Sequence, residues 1–227
     1  AMYLGGFHYP SPNNIIYYNN FVDNTNNVAD VAEGAGWQDL TPAVNIWDSG
    51  SEGNYWSNYN GTDSNSYEIG DAPYVIDEKN HDNYPLMSPV NIFDAGIWEW
   101  IPYSVFVLSN STVSDFSFNP ESALIQFDVE DETGTIGFCR VMVPKGLLST
   151  EGNWTVLVDG ASVTTTVNED KTSTYLYFTY NHSNKTVEII GIDAIPEFPS
   201  WIILPLFLGS AFVMVFFKKK SGFGEIK

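Results

Sequence analysis

The chain has 227 residues, 44% of them hydrophobic and 15% aromatic, enough apolar material for one or two packed cores and too much for a disordered chain. Its 28 acids against nine Lys plus Arg give a net charge of −19, which repels phosphate backbones and excludes nucleic acid as a partner. Only Glu225 of the acids lies beyond Ser200, whereas Lys218, Lys219, Lys220 and Lys227 all do, so the part before Ser200 keeps just Lys79, Arg140, Lys145, Lys171 and Lys185 as bases. A single cysteine, Cys139, rules out an intrachain disulfide, so stability must come from cores or from metal.

The first segment, NNIIYYNNFVDNTNN at 13–27, sets short apolar pairs between asparagines. Asparagine tolerates left-handed corners and its amide can stack on a like amide in the next coil, so the pattern suits a solenoid. Residues 45–90 continue it and carry a more specific signal. Gly53-Asn54-Tyr55-Trp56, Ile69-Gly70-Asp71, Pro73-Tyr74 and Asp82-Asn83-Tyr84-Pro85-Leu86 resemble the closing segment of archaeal NosD-like right-handed parallel β-helix proteins. The resemblance spans about residues 13–90 and implies last β-helix coils over 1–36 and a cap over 37–91.

Within that cap, Asp63, Asn65 and Asp71 stand at positions one, three and nine of a tight loop, with the Ile69 carbonyl near position seven. This spacing of oxygens is a cradle for a hard cation, and calcium accepts such a mixed set. Tyr67 stands where the resembled family carries Asp, and Glu68 replaces its turn glycine; Glu68 or Asp77 could restore the missing carboxylate. A purely structural Asn/Asp loop is the alternative. Trp47, Tyr55, Trp56 and Tyr59 are candidates to stack on sugar rings, or else to plug the end of the coil.

From 98 to 193 the texture becomes that of short strands, expected at 103–109, 122–130, 135–143, 153–158, 161–167, 172–180 and 184–191. Ala123, Ile125, Phe127 and Val129 alternate with Ser122, Gln126 and Asp128, the period of a half-buried strand. Val158-Asp159-Gly160-Ala161 is a two-residue hairpin signal. The expectation is an antiparallel, immunoglobulin-like β-sandwich over 102–194, joined to the cap by a connector at 92–101.

Trp201 to Phe217 is a run of seventeen residues without a charge, about 26 Å long as a helix, closed at once by Lys218, Lys219 and Lys220. This predicts one transmembrane helix at 201–217 with the tail 218–227 in the cytoplasm and everything before it outside. The preceding Ile195–Ser200 linker, IPEFPS, together with the apolar run and basic cluster, resembles the PEF-type C-terminal sorting signal of archaeal surface proteins. That resemblance implies cleavage near the motif and exchange for a lipid-type anchor. A start without a basic, apolar leader suggests a region of a longer precursor. Asn60, Asn110, Asn153, Asn181 and Asn184 head glycosylation sequons, all on the outer side.

Catalytic signals are lacking. His8, His81 and His182 are scattered, no nucleophile elbow, P-loop or HExxH occurs, and Arg140 is the only arginine. The expected function is therefore a non-enzymatic, membrane-anchored extracellular surface protein, a glycoprotein meeting lipid through its helix and glycans or other surface proteins through its outer part. A polysaccharide-acting β-helix enzyme with catalytic coils upstream, and a subunit of an ordered extracellular assembly, are the alternatives.

Overall fold

The structure, a computed structural model, describes residues 2–4, 11–30, 43–65 and 67–194. It is mainly β, and among the described residues there is no helix. The expected transmembrane helix, its PEF linker and its tail lie outside the described residues, as does His8.

Six short strands build the first part: β1 (Met2–Leu4), β2 (Asn20–Phe21), β3 (Val28–Asp30), β4 (Tyr55–Trp56), β5 (Tyr74–Val75) and β6 (His81–Asp82). Pairing between successive passes of the chain is parallel: β1 on β3, β2 on β4, and single bridges Ile15 to Ile46 and Tyr55 to Leu86. Backbone bonds follow the same stacking, with Tyr18 N–H donating to Gly53 O and Gly53 N–H to Tyr84 O, both at 2.8 Å. β5 and β6 form a local antiparallel pair, and a single antiparallel bridge joins Ile69 to Leu86. Ile16, Phe21, Trp47 and Trp56 fill the interior of this stack.

Beyond Pro89 the chain becomes antiparallel: β7 (Val90–Trp98), β8 (Ile101–Ser109), β9 (Thr112–Asn119), β10 (Leu124–Glu130), β11 (Ile136–Pro144), β12 (Leu148–Ser149), β13 (Thr155–Val158), β14 (Ala161–Ser162), β15 (Thr165–Glu169), β16 (Ser173–Asn181), β17 (Lys185–Ile190) and β18 (Asp193–Ala194). Two five-stranded sheets result, β15-β16-β11-β8-β7 and β14-β13-β17-β10-β9, with β12 and β18 as a separate clasp. One core lies between them: Val105, Cys139, Val141 and Phe178 from the first sheet meet Ile125, Phe127, Val156 and Ile189 from the second, all at most 1% exposed. Removing that much apolar area from water is the main term holding the sheets face to face.

Three expectations are corrected. Segment 92–101 is no connector: it lies in the β7–β8 hairpin and forms the sheet edge. A bulge between Asp94 and Gly96 breaks its alternation, which is why no strand period shows there. Strand β9 was not expected at all; its inward residues Val113, Phe116 and Phe118 lose period two where the register slips opposite Gln126/Asp128 and Asp115 turns to φ +51°. The strand expected at 161–167 is two, β14 pairing with β13 and β15 with β16, so the chain changes sheet between them.

Candidate functional site

Polar side chains inside the stack form ladders from pass to pass. Asn14 donates its side-chain N–H to Asn45 Oδ1 at 2.9 Å, and Asn80 Oδ1 accepts from the Asn45 backbone at 2.9 Å and from Trp47 Nε1 at 3.1 Å. In parallel, Asn19 donates to Asn54 Oδ1 at 2.9 Å, and Asp82 Oδ2 accepts from Asn54 N–H at 2.7 Å and Trp56 Nε1 at 2.9 Å. Each amide or carboxylate satisfies a donor of the turn before it, so the buried N–H groups of Asn45, Trp47, Asn54 and Trp56 are paired. Burial pushes the Asp82 carboxyl upward, while those donors pull it back. Gly53 is required here: a Cβ on it would lie 1.8 Å from Asp82 Oδ1.

The aromatic candidates divide. Phe21, Trp56 and Tyr74 stack in a column at 4.1 and 4.2 Å between centroids, and Trp47 and Trp56 are 1% exposed, so neither indole has a face free for a sugar. Tyr59 is half-buried, donating to Ala72 O at 2.6 Å. Tyr55, also half-buried, lines a hollow of about 510 Å³ between the last turn of the stack and the sandwich.

The 63–71 loop uses its oxygens on itself. Asp63 accepts from the backbone N–H of Glu68 at 2.7 Å and, more weakly, of Asn65 and Tyr67; Asn65 Oδ1 accepts from Tyr67 N–H at 3.0 Å. Asp71 accepts from Ser64 N–H and Oγ and from Thr62 Oγ1. Asp77 serves another turn, holding Lys79 N–H, Asn80 N–H and the Asn80 amide. Ile69 bridges to Leu86, and Glu68, at φ +62°, is 8% exposed. Among the described residues no group of three or more His, Cys, Asp or Glu could hold a metal ion. Hydrogen bonds from Asp63, Asn65 and Asp71 thus close the loop's own backbone turn.

Sequence reasoning missed what surrounds Glu68. Arg140 on β11 forms an ion pair with Glu52, both buried, and Glu52 Oε2 accepts from Tyr18 OH at 2.7 Å. The guanidinium sits 4.8 Å from the Tyr175 ring centre, and its Nη1 has no hydrogen-bond partner among the described residues. Tyr18, Leu86, Phe106 and Leu108 pack beside it, so the stack and the sandwich share a small core. Burial raises the Glu68 carboxyl to about 7; the Asp63 charge adds to this and Arg140 opposes it. Burial also drives the Tyr18 and Tyr175 hydroxyls upward.

No family model, curated protein or solved structure matches the chain.

One of the scattered histidines does acquire partners. His182 Nε2 lies 2.9 Å from Ser111 Oγ, which also contacts Tyr180 OH at 2.7 Å, and His182 Nδ1 lies 2.5 Å from Thr135 Oγ1. Asp131 approaches at 4.0 Å, but toward Nε2, the nitrogen that already faces the serine. A triad needs its acid on the other nitrogen, so the group reads as a closed polar network, with His182 only 3% exposed. It borders the hollow lined by Tyr55, Ser88, Asn91, Asn110 and Asp131, where Ser88 Oγ is buried with no partner among the described residues. The five sequon asparagines are all exposed, although Asn110 spends its amide on Ile136 O and Phe138 N–H.

Proposed function

We propose that the chain is the membrane-proximal part of a non-enzymatic surface protein. On this reading the stack is the end of a right-handed parallel β-helix capped by 37–91. The immunoglobulin-like sandwich over 102–194 is its stalk, and the 201–217 run is its anchor in lipid. The supporting observation is the pair of ladders, Asn14–Asn45–Asn80 and Asn19–Asn54–Asp82, at offsets close to one coil, ending where Arg140 and Glu52 join stack to sandwich. A coil stack needs a closed end, and the buried junction supplies one. Contacts with glycans or partner proteins are assigned to the outer coils and to the hollow beside Tyr55, whose amides and hydroxyls suit a polyhydroxylated ligand.

The test is topological. The full chain should enter the detergent phase of a cloud-point separation, and a cysteine at exposed Glu130 should react with a membrane-impermeant maleimide on intact cells. Recovery in the aqueous phase, or a label that reacts only after lysis, would end this reading.

A further inference from the structure

The sandwich has two distinct ends. At one, β8 finishes at Leu108 and Ser109, against Leu86 and Pro89 of the stack. At the other lie the β7–β8 apex, the Pro144 end of β11, and Gly146 beneath Tyr103. The clasp belongs to this second end: β12 pairs with β18, and Ile192 N–H reaches Ser149 O at 2.9 Å. The chain therefore leaves the sandwich at Ala194 on the same end as the hairpin apex. Six residues, at most about 25 Å of extended chain, separate that point from Trp201.

The apex is unusual in its chemistry. Trp98 pairs with Ile101 and closes a two-residue loop in which Glu99 and Trp100 both have positive φ, +48° and +68°. Such a loop favours Asn-Gly, and a tryptophan there is strained, so the fold itself gains nothing from it. Trp100 is 96% exposed, Ile97 70% and Ile101 53%. An indole with apolar neighbours is what a water–lipid interface takes up, and the charge of Glu99 limits the depth to the headgroups. Exposed Lys171 and half-buried Lys145, the latter paired with Glu169, lie at this end.

We propose that the 97–101 hairpin apex is a second, interfacial contact with the bilayer, Trp100 and Ile97 resting among the headgroups of the membrane entered by 201–217. The inference rests on the membrane reading above, and its test separates the two. Cys139 is fully buried, with its thiol pushed up to about 11, so introduced cysteines take an environment-sensitive fluorophore selectively. The full chain is reconstituted in phosphatidylcholine vesicles containing nitroxide-labelled lipid, with the label at Ile97→Cys, Glu130→Cys or Phe217→Cys. Labels at 97 and 217 should be quenched by lipid severalfold more than at 130, which lies at the stack end. Trp100→Gly, which relieves the turn, should keep Tm while lowering quenching at 97 severalfold. A lipid-quenched 217 with 97 as open to aqueous iodide as 130 overturns the apex contact alone. Should 97 be shielded from both quenchers, the apex meets protein instead, which also overturns it. An aqueous 217 overturns the anchor and the apex together.

Discussion

The sharpest consequence of the junction is a pH dependence carried by one side chain. Glu68 is 8% exposed, and its carboxyl sits at about 7 against an ordinary 4.5. The folded chain therefore holds a proton there that the unfolded chain releases between those two values, so folding stability falls as pH rises from about 4.5 to about 7 and is level above. With 1.36 kcal/mol per unit, the loss is about 3 kcal/mol. Glu68→Gln carries no such penalty. Urea unfolding followed by tryptophan emission, to which buried Trp47 and Trp56 contribute, should give equal stability for both proteins at pH 4.5. At pH 8 the variant should be about 3 kcal/mol more stable. A gap of the same size at both pH values would refute burial of the ionised carboxylate as its origin.

Four further outcomes are expected. Asn80→Ala orphans the buried donors of Asn45 and Trp47 and should cost about 1–3 kcal/mol for each in the same unfolding assay; a loss under 0.5 kcal/mol, at the scale of a surface change, would mean the ladder carries no weight. Gly53→Ala forces a methyl into Asp82 and should lower stability by about 3 kcal/mol or more, whereas an unchanged Tm would deny the close approach. Arg140→Met leaves Glu52 buried without its partner, costing about 3–5 kcal/mol, and adding Glu52→Gln should restore most of it; simple additivity would argue against a direct pair. Millimolar calcium should leave Tm within about 1 °C of the chelated protein; a rise of several degrees would assign an ion to the 63–71 loop.

How legible this was depended on whether a residue's role was local. The alternation of Ala123 to Val129 placed β10 to within two residues, because each side chain there faces one core. The asparagines at 13–27 signalled stacking, but their partners sit 31 and 35 residues away, an uneven offset that hides the repeat. Bulges concealed β7 and β9, since one inserted residue reverses which face an alternating pattern marks. Nothing near Arg140 or His182 in the chain names Glu52 or Ser111, because those contacts come from the packing of sheets and stack. The oxygen spacing of 63–71 was read correctly as a tight loop; that its acceptors are taken up by its own N–H groups depends on backbone direction, which spacing does not encode.

The scarcity and placement of basic side chains also shape how the protein would survive attack by trypsin-like enzymes, which cut only after lysine or arginine. Arg140 is buried, Lys145 is held to Glu169 and Lys185 to Asp159, so the accessible targets among the described residues reduce to the bends at Lys79 and Lys171. A nick at Lys79 would open the β5–β6 loop yet leave Asn80 bonded to Asn45 and Trp47, so the severed ends would stay in place. Digestion of the folded protein should therefore yield few, long fragments that separate only on denaturation.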